Sequence, residues 1–223
     1  MKSQEIYKRF LLELNKNDSN EGVNILPSSF VLLFNTERFR WLEQKLESDA
    51  DNWKLQHLDN LLVVDKQLTK QHEFSDAVEF AFPEDFFRHA YSFSIADKGA
   101  CKGERIYNFE KKALGFHTVL ADDFSSPQFE YRETPFIITQ NNIRVFFEGF
   151  KIQRVYASYY RLPKPIDIAG YTKFDGSASV DLETDLIEDQ IDEIIERVVK
   201  RVAGQVGDVE KHQVANERIV TEP

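Results

Sequence analysis

The sequence predicts an α+β protein with N-terminal helices, a central antiparallel β domain of sandwich-like form and one long C-terminal helix. Three observations carry that expectation. Apolar residues recur at helical spacing through roughly the first 65 residues. The same period returns after Gly176, and the chain between breaks into short β-branched or aromatic runs separated by turn residues. The organisation expected is a helical section over 1–65, an antiparallel β domain over 66–172, and a C-terminal helix and tail over 173–223 that packs with the N-terminal helices as one unit.

Each element has its own signal. Ser3 is an N-cap candidate, and Ile6, Tyr7, Phe10, Leu11 and Leu14 then share one helix face that should end near Asn15. The polar stretch NKNDSNEG reads as a loop. Pro27 with Ser28 or Ser29 opens a second helix carrying Phe30, Val31, Phe34, Trp41, Leu42 and Leu46. After a break at SDADN, Asp51 can cap a third, shorter helix with Trp53, Leu55, Leu58, Leu61 and Leu62 as its buried face. From about Phe74 the expected strands are VEFAF at 78–82, YSFSIA at 91–96, ERIYNFE at 104–110, PFIITQ at 135–140, IRVFFEGF at 143–150 and QRVYASYYRL at 153–162. Gln140, Asn141 and Asn142 suggest a hairpin, because Asn tolerates the positive φ of tight turns.

The run VYASYYRLPKPIDIAGY, residues 155–171, should stop the last strand abruptly. Pro163 and Pro165 lack the backbone donor that a central strand needs, so the chain must leave the sheet near Leu162. These prolines and Gly170 then form a rigid elbow that orients a helix beginning near Asp181. Tyr159, Tyr160 and Arg161 alternate between the faces of the strand, which places at least one tyrosine in the core and can leave its neighbour exposed. The final helix carries Leu186, Ile187, Ile191, Ile194, Ile195, Val198, Val199 and Val202 as an apolar stripe, with acids early, bases late and Gly204 as its stop. The last residues, VEKHQVANERIVTEP, have no core period and are expected to be held by a partner or a neighbouring copy.

Composition narrows the chemistry. The 223 residues carry 38 acids against 28 bases, a formal charge of -10, which disfavours a partner held through nucleic-acid phosphates. With one cysteine, Cys101, no intramolecular disulfide can form. No apolar run is long enough for a membrane span, and the polar KSQEIYKR after Met1 does not suggest a secretory signal.

Catalytic patterns are absent. DKGACKGER at 97–105 lacks the GxxxxGK[ST] spacing of a phosphate loop and reads as a turn between strands. His57, His72, His89, His117 and His212 show no HxxxH or HExxH spacing, and there is no GxSxG. The paired acids Asp122 with Asp123 and Glu84 with Asp85 read as solvated turns. No catalytic residue, cofactor site or metal site is therefore expected. What remains is a surplus of aromatics, nineteen Phe, eight Tyr and two Trp, clustered in FAFPEDFFRHAYSF and RVFFEGF. Aromatic residues and Arg are common anchors of protein interfaces.

Three stretches carry a family resemblance. SSFVLLFNTERFRWLEQKLE with LQHLDNLLV, then FPEDFFRHAYSFS, then VYASYYRLPKPIDI followed by SASVDLETDLIEDQIDEIIERVV together resemble the neck and ring proteins between portal and tail of tailed bacteriophages, particularly the short-tailed crAss-like phages. Residues 97–130 fall outside it. The resemblance implies a non-enzymatic virion component, made in the host cytoplasm and located in the neck or tail. It would form a homo-oligomeric ring of twelve copies against portal, neck or tail proteins, with no membrane and no specific nucleic-acid partner. An acidic lumen would let DNA pass without sticking. Tyr159, Tyr160, Arg161, Pro163, Pro165, Phe86, Phe87 and Arg88 are the candidate assembly contacts on this reading. The competing readings are a cytoplasmic binding module or assembly chaperone acting as monomer or dimer, and a hydrolase whose site has no sequence signature.

Overall fold

A computed structural model describes residues 1–16, 24–48, 54–111, 126–173 and 175–206, with the side chains of 48, 54–56, 205 and 206 excepted. The chain forms two compact units, one of Met1–Asn60 with Pro163–Pro223 and one of Leu61–Leu162. Residues 163–172, assigned by the sequence to the β domain, thus belong with the helices. The expected acidic pair Asp122–Asp123, His117, His212, residues 49–52 of the SDADN break with Asp51, Trp53, the side chain of Leu55, and the 207–223 tail lie outside the described residues.

In the helical unit, α1 spans Ser3–Leu14 and buries Ile6, Phe10 and Leu14. Its N-cap is Lys2, not Ser3. Glu5 closes the first turn by accepting a bond from the Lys2 backbone N–H at 3.2 Å, while Ser3 is buried and its hydroxyl donates to the Leu182 carbonyl. Helix α2, Pro27–Ser48, buries the face its spacing predicts, and Phe30 stacks on Phe10 with ring centroids 4.7 Å apart. The third helical stretch is a 3-10 helix, Lys54–Leu61, burying Leu58 and Leu61. Helix α3 spans Glu188–Val206 and buries Ile191, Ile194, Ile195, Val198, Val199 and Val202.

Helix α3 starts seven residues later than the acid run suggests. The side chains before it are already engaged with backbone: Asp181 accepts from the Ala169 N–H at 3.0 Å, and Thr184 from the Leu186 N–H at 3.3 Å. Gln190 then reaches back to accept the Ile187 N–H at 3.2 Å, which satisfies a donor the first helical turn cannot. The same buried amide exchanges bonds with Asn60 and donates to the His57 carbonyl. Trp41 and Lys45 of α2 both hold Glu193 of α3, at 2.6 and 3.0 Å.

The β unit contains eight strands: β1 Leu62–Gln67, β2 Thr69–Glu73, β3 Ala77–Ala81, β4 Phe86–Lys98, β5 Cys101–Glu110, β6 Glu133–Thr139, β7 Asn142–Phe146 and β8 Lys151–Arg161. They form one sheet in the order β1-β8-β4-β5-β6-β7-β3-β2. The α+β architecture is therefore the one expected, and the strands of the sandwich-like antiparallel β domain form a single curled sheet that is mixed rather than purely antiparallel. Strands β5 and β6 pair in parallel. Curling follows from connectivity: the two outermost strands are consecutive, with only Leu68 between them, so the ends of the sheet must meet at that residue. Leu68 is buried, and its N–H donates to the Val155 carbonyl at 2.9 Å. It joins Val78, Phe80, Phe136, Ile143, Val145 and Val155 in the core that the curl encloses.

The loose alternation of several strands has a packing cause. Ala77, Ile137 and Phe146 form a second, smaller cluster, so β3 is buried at four consecutive positions. The expected hairpin joins β6 to β7 with Thr139 opposite Asn142. Gln140, not an asparagine, takes the positive φ of +55°. Asn141 instead uses its side-chain amide to donate to the Phe82 carbonyl at 3.2 Å.

Candidate functional site

The eight residues expected to make assembly contacts separate by burial. In the β unit, Tyr159 faces the enclosed core. Its ring lies 6.4 Å from Phe82 and 5.6 Å from Phe86, and Phe82 and Phe86 stack at 3.8 Å. Its hydroxyl donates to Asp85 Oδ1 at 2.9 Å. Burial first, and then the bond and charge of Asp85, push the phenol up to about 12. Tyr160 is also buried, so the strand end hides both tyrosines, where the sequence required at least one in the core. Phe86, Phe87 and Arg161 are half-buried, and Arg88 is exposed. His89 sits beside this cluster, 4.9 Å from Phe136 and 6.4 Å from Phe82, with no partner for its Nε2 among the described residues. Burial lowers its pKa to about 4, so the imidazole is neutral at physiological pH.

In the helical unit, the elbow owes its form to side chains that replace sheet bonding. Pro163 is buried and Pro165 exposed. The donors left between and after them are each accepted by a side chain. The Lys164 N–H donates to Asp185 Oδ1 at 2.8 Å, and the Ile166 N–H to Asn35 Oδ1 at 3.0 Å. Asn35 Nδ2 returns a bond to the Ile166 carbonyl at 2.9 Å, so its amide reads the backbone as a neighbouring strand would.

Beyond the elbow, buried Asp167 organises the reversal that contains Gly170. Its Oδ1 accepts from Tyr171 Oη at 2.7 Å and the Ile168 N–H at 2.9 Å. Its Oδ2 accepts from the Val180 N–H at 3.3 Å and pairs with Lys173 at 2.8 Å. Burial would raise this carboxyl, but the four donors together outweigh it and hold the group below its ordinary value. Tyr171 is pushed up to about 12 by burial and by the Asp167 carboxylate.

Sequence reasoning missed a third feature, the outward face of the sheet. Register aligns Gln67, Tyr156, Phe93, Tyr107 and Glu133 across five strands. Tyr156 and Phe93 stack at 5.1 Å. The Arg105 guanidinium lies 3.6 Å over Phe93 and 5.4 Å from Tyr107, and Arg154 Nη1 lies 3.5 Å from the Tyr156 hydroxyl. The signal was present in ERIYNFE, where Ile106 is buried in the enclosed core and its neighbours Arg105 and Tyr107 must point the other way.

These arrangements offer packing, capping and contact surface. Among the described residues, no group of three or more His, Cys, Asp and Glu side chains is placed to hold a metal ion, and no helix is long and apolar enough to cross a membrane. Cys101 is exposed at the start of β5, after a two-residue turn in which Gly99 takes a φ of +56°. No protein-family model matches the chain, and no curated protein is significantly similar to it.

Proposed function

We propose that this chain is a non-enzymatic structural component of a tailed-bacteriophage virion. It assembles head to tail into a closed ring of twelve copies in the neck, between portal and tail. The observation that supports the reading is the presence of chemically different exposed surfaces on the two units. The β unit displays the Arg105–Tyr107 face together with exposed Tyr131, whereas the helical unit displays Leu12, Leu26 and Leu32. A head-to-tail ring needs two different complementary patches on each subunit.

The test is a protein inventory of purified virions combined with native mass measurement of the isolated chain, alone and with its portal. The expected result is the chain in the virion at ring stoichiometry and a large homo-oligomer in solution or on the portal. A stable monomer in every context, missing from virions, would overturn the reading and favour a cytoplasmic binding module or assembly chaperone.

A further inference from the structure

We propose that the outward face of β8, β4 and β5 is the docking surface for the acidic segment of residues 180–189 of a second copy of this chain. The inference rests on the head-to-tail assembly proposed above and names its contacting surfaces. The face combines half-buried Tyr156 and exposed Tyr107, in register on either side of buried Phe93, with two exposed arginines, Arg105, which covers Phe93, and Arg154. Tyr107 is 58% exposed. Neither arginine has a carboxylate partner among the described residues, although the chain carries ten more acids than bases. A guanidinium stacked on a ring keeps its edge donors free for a carboxylate, which is a strong and directional way to hold an acidic partner.

The complementary chemistry lies in VDLETDLIED. Val180, Leu182 and Ile187 are exposed, at 51%, 39% and 45%, and alternate with acids. Glu183 and Asp189 are exposed and have no ion-pair partner among the described residues, whereas Glu188 pairs with Arg9 and Asp181 caps the Ala169 N–H. The segment is held in a fixed shape by the bonds of Asp167 to Val180 and of Gln190 to Ile187, so little ordering is needed on docking. Apolar side chains can lie on the aromatic row while Glu183 and Asp189 meet the arginines. Face and segment belong to different units, which gives the non-self-paired contact a ring requires.

The experiment uses two full-length variants. One, Arg105→Glu with Arg154→Glu, has a disabled face and an intact segment; the other, Glu183→Lys with Asp189→Lys, has the reverse. Each alone should be monomeric by native mass measurement where the wild type is oligomeric. Mixed, they should form a capped 1:1 dimer through the one intact pair of surfaces, which also shows that both variants are folded. If either variant alone still assembles like the wild type, or if the mixture stays monomeric, the docking surface is wrong while ring assembly stands. If the wild type itself is monomeric at every concentration, both the assembly reading and this inference fail.

Discussion

Replacing His89 with phenylalanine tests how the core of the β unit responds to acid. The imidazole side chain is 8% exposed, faces Phe82 and Phe136, and has no partner for Nε2 among the described residues. Burial depresses its pKa from 6.5 to about 4. In the unfolded chain the ring takes a proton near pH 6.5, and in the folded chain only near pH 4. Between those values the unfolded state binds more protons, so stability is complete above 6.5 and falls as pH drops through the window. At about 1.4 kcal/mol for each pH unit, the loss approaches about 3 kcal/mol by pH 4. Glu110 Oε2, 4.0 Å from Nδ1, favours the charged ring, but that carboxylate is more than half exposed and its effect is screened by water. Phenylalanine fits an aromatic site and cannot be protonated. Urea denaturation followed by far-UV circular dichroism between about pH 7 and pH 4.5 should show a steeper loss in the wild type than in His89→Phe, by about 2.5 kcal/mol. Parallel acid profiles, or a His89 titration by NMR with its midpoint near the ordinary histidine value, would refute the reasoning.

Asn35→Ala leaves the Ile166 N–H and carbonyl without partners and should destabilise the helical unit by about 2 kcal/mol in urea denaturation read by Trp41 fluorescence. Asn35→Asp, which keeps the acceptor, should lose less, and equal losses would count against the paired geometry. Arg38 is buried in α2 with no partner for Nε or Nη1 among the described residues, and burial lowers its pKa against the opposing charge of Asp185. Arg38→Met should therefore leave the melting temperature unchanged or raise it, and a loss above about 1 kcal/mol would reveal a partner for the guanidinium. Tyr159 and Tyr171 should ionise near 12 in the folded protein. Their unfolded value is near 10, so the stability they contribute is whole below pH 10 and is lost as pH rises towards 12. Tyrosinate absorbance should show a delayed component that disappears in the Tyr159→Phe, Tyr171→Phe double variant.

The helices were legible because their apolar residues repeat at the helical period and bury where that period places them, as Phe30, Phe34, Trp41 and Ile191 to Val202 do. The six aromatic or β-branched strands were legible for a similar reason. Strands β1 and β2 were not. TKQHE is polar and exposed at all five positions, so it has no alternation to read, and Leu62 continues the spacing of the preceding 3-10 helix into β1. The parallel pairing of β5 with β6 depends on residues far apart in the chain and leaves no local mark. At the elbow the prolines were readable as a stop, but the acceptors Asn35 and Asp185 lie 131 and 21 residues from the donors they satisfy. For Tyr159 and Tyr160, alternation assigned opposite faces correctly without revealing that both faces are covered there.

The end strands also limit how this chain can associate. A sheet end ordinarily invites another strand to add by backbone bonding, and proteins suppress that with charge, bulges and short strands. Both end strands here carry such devices. Strand β1 breaks register between Val63 and Lys66, where Asp65 adopts a φ of +49° and its N–H is taken by the Ser158 hydroxyl. Strand β2 has five residues, breaks register between Lys70 and His72, and ties Lys70 to Glu73 in an ion pair. Strand addition at either end is therefore disfavoured by the local backbone and by charge. Association of the β unit would instead have to use side chains, as in the docking proposed for the outward face with Phe93, Arg105, Tyr107, Arg154 and Tyr156, where neither arginine has a carboxylate partner among the described residues.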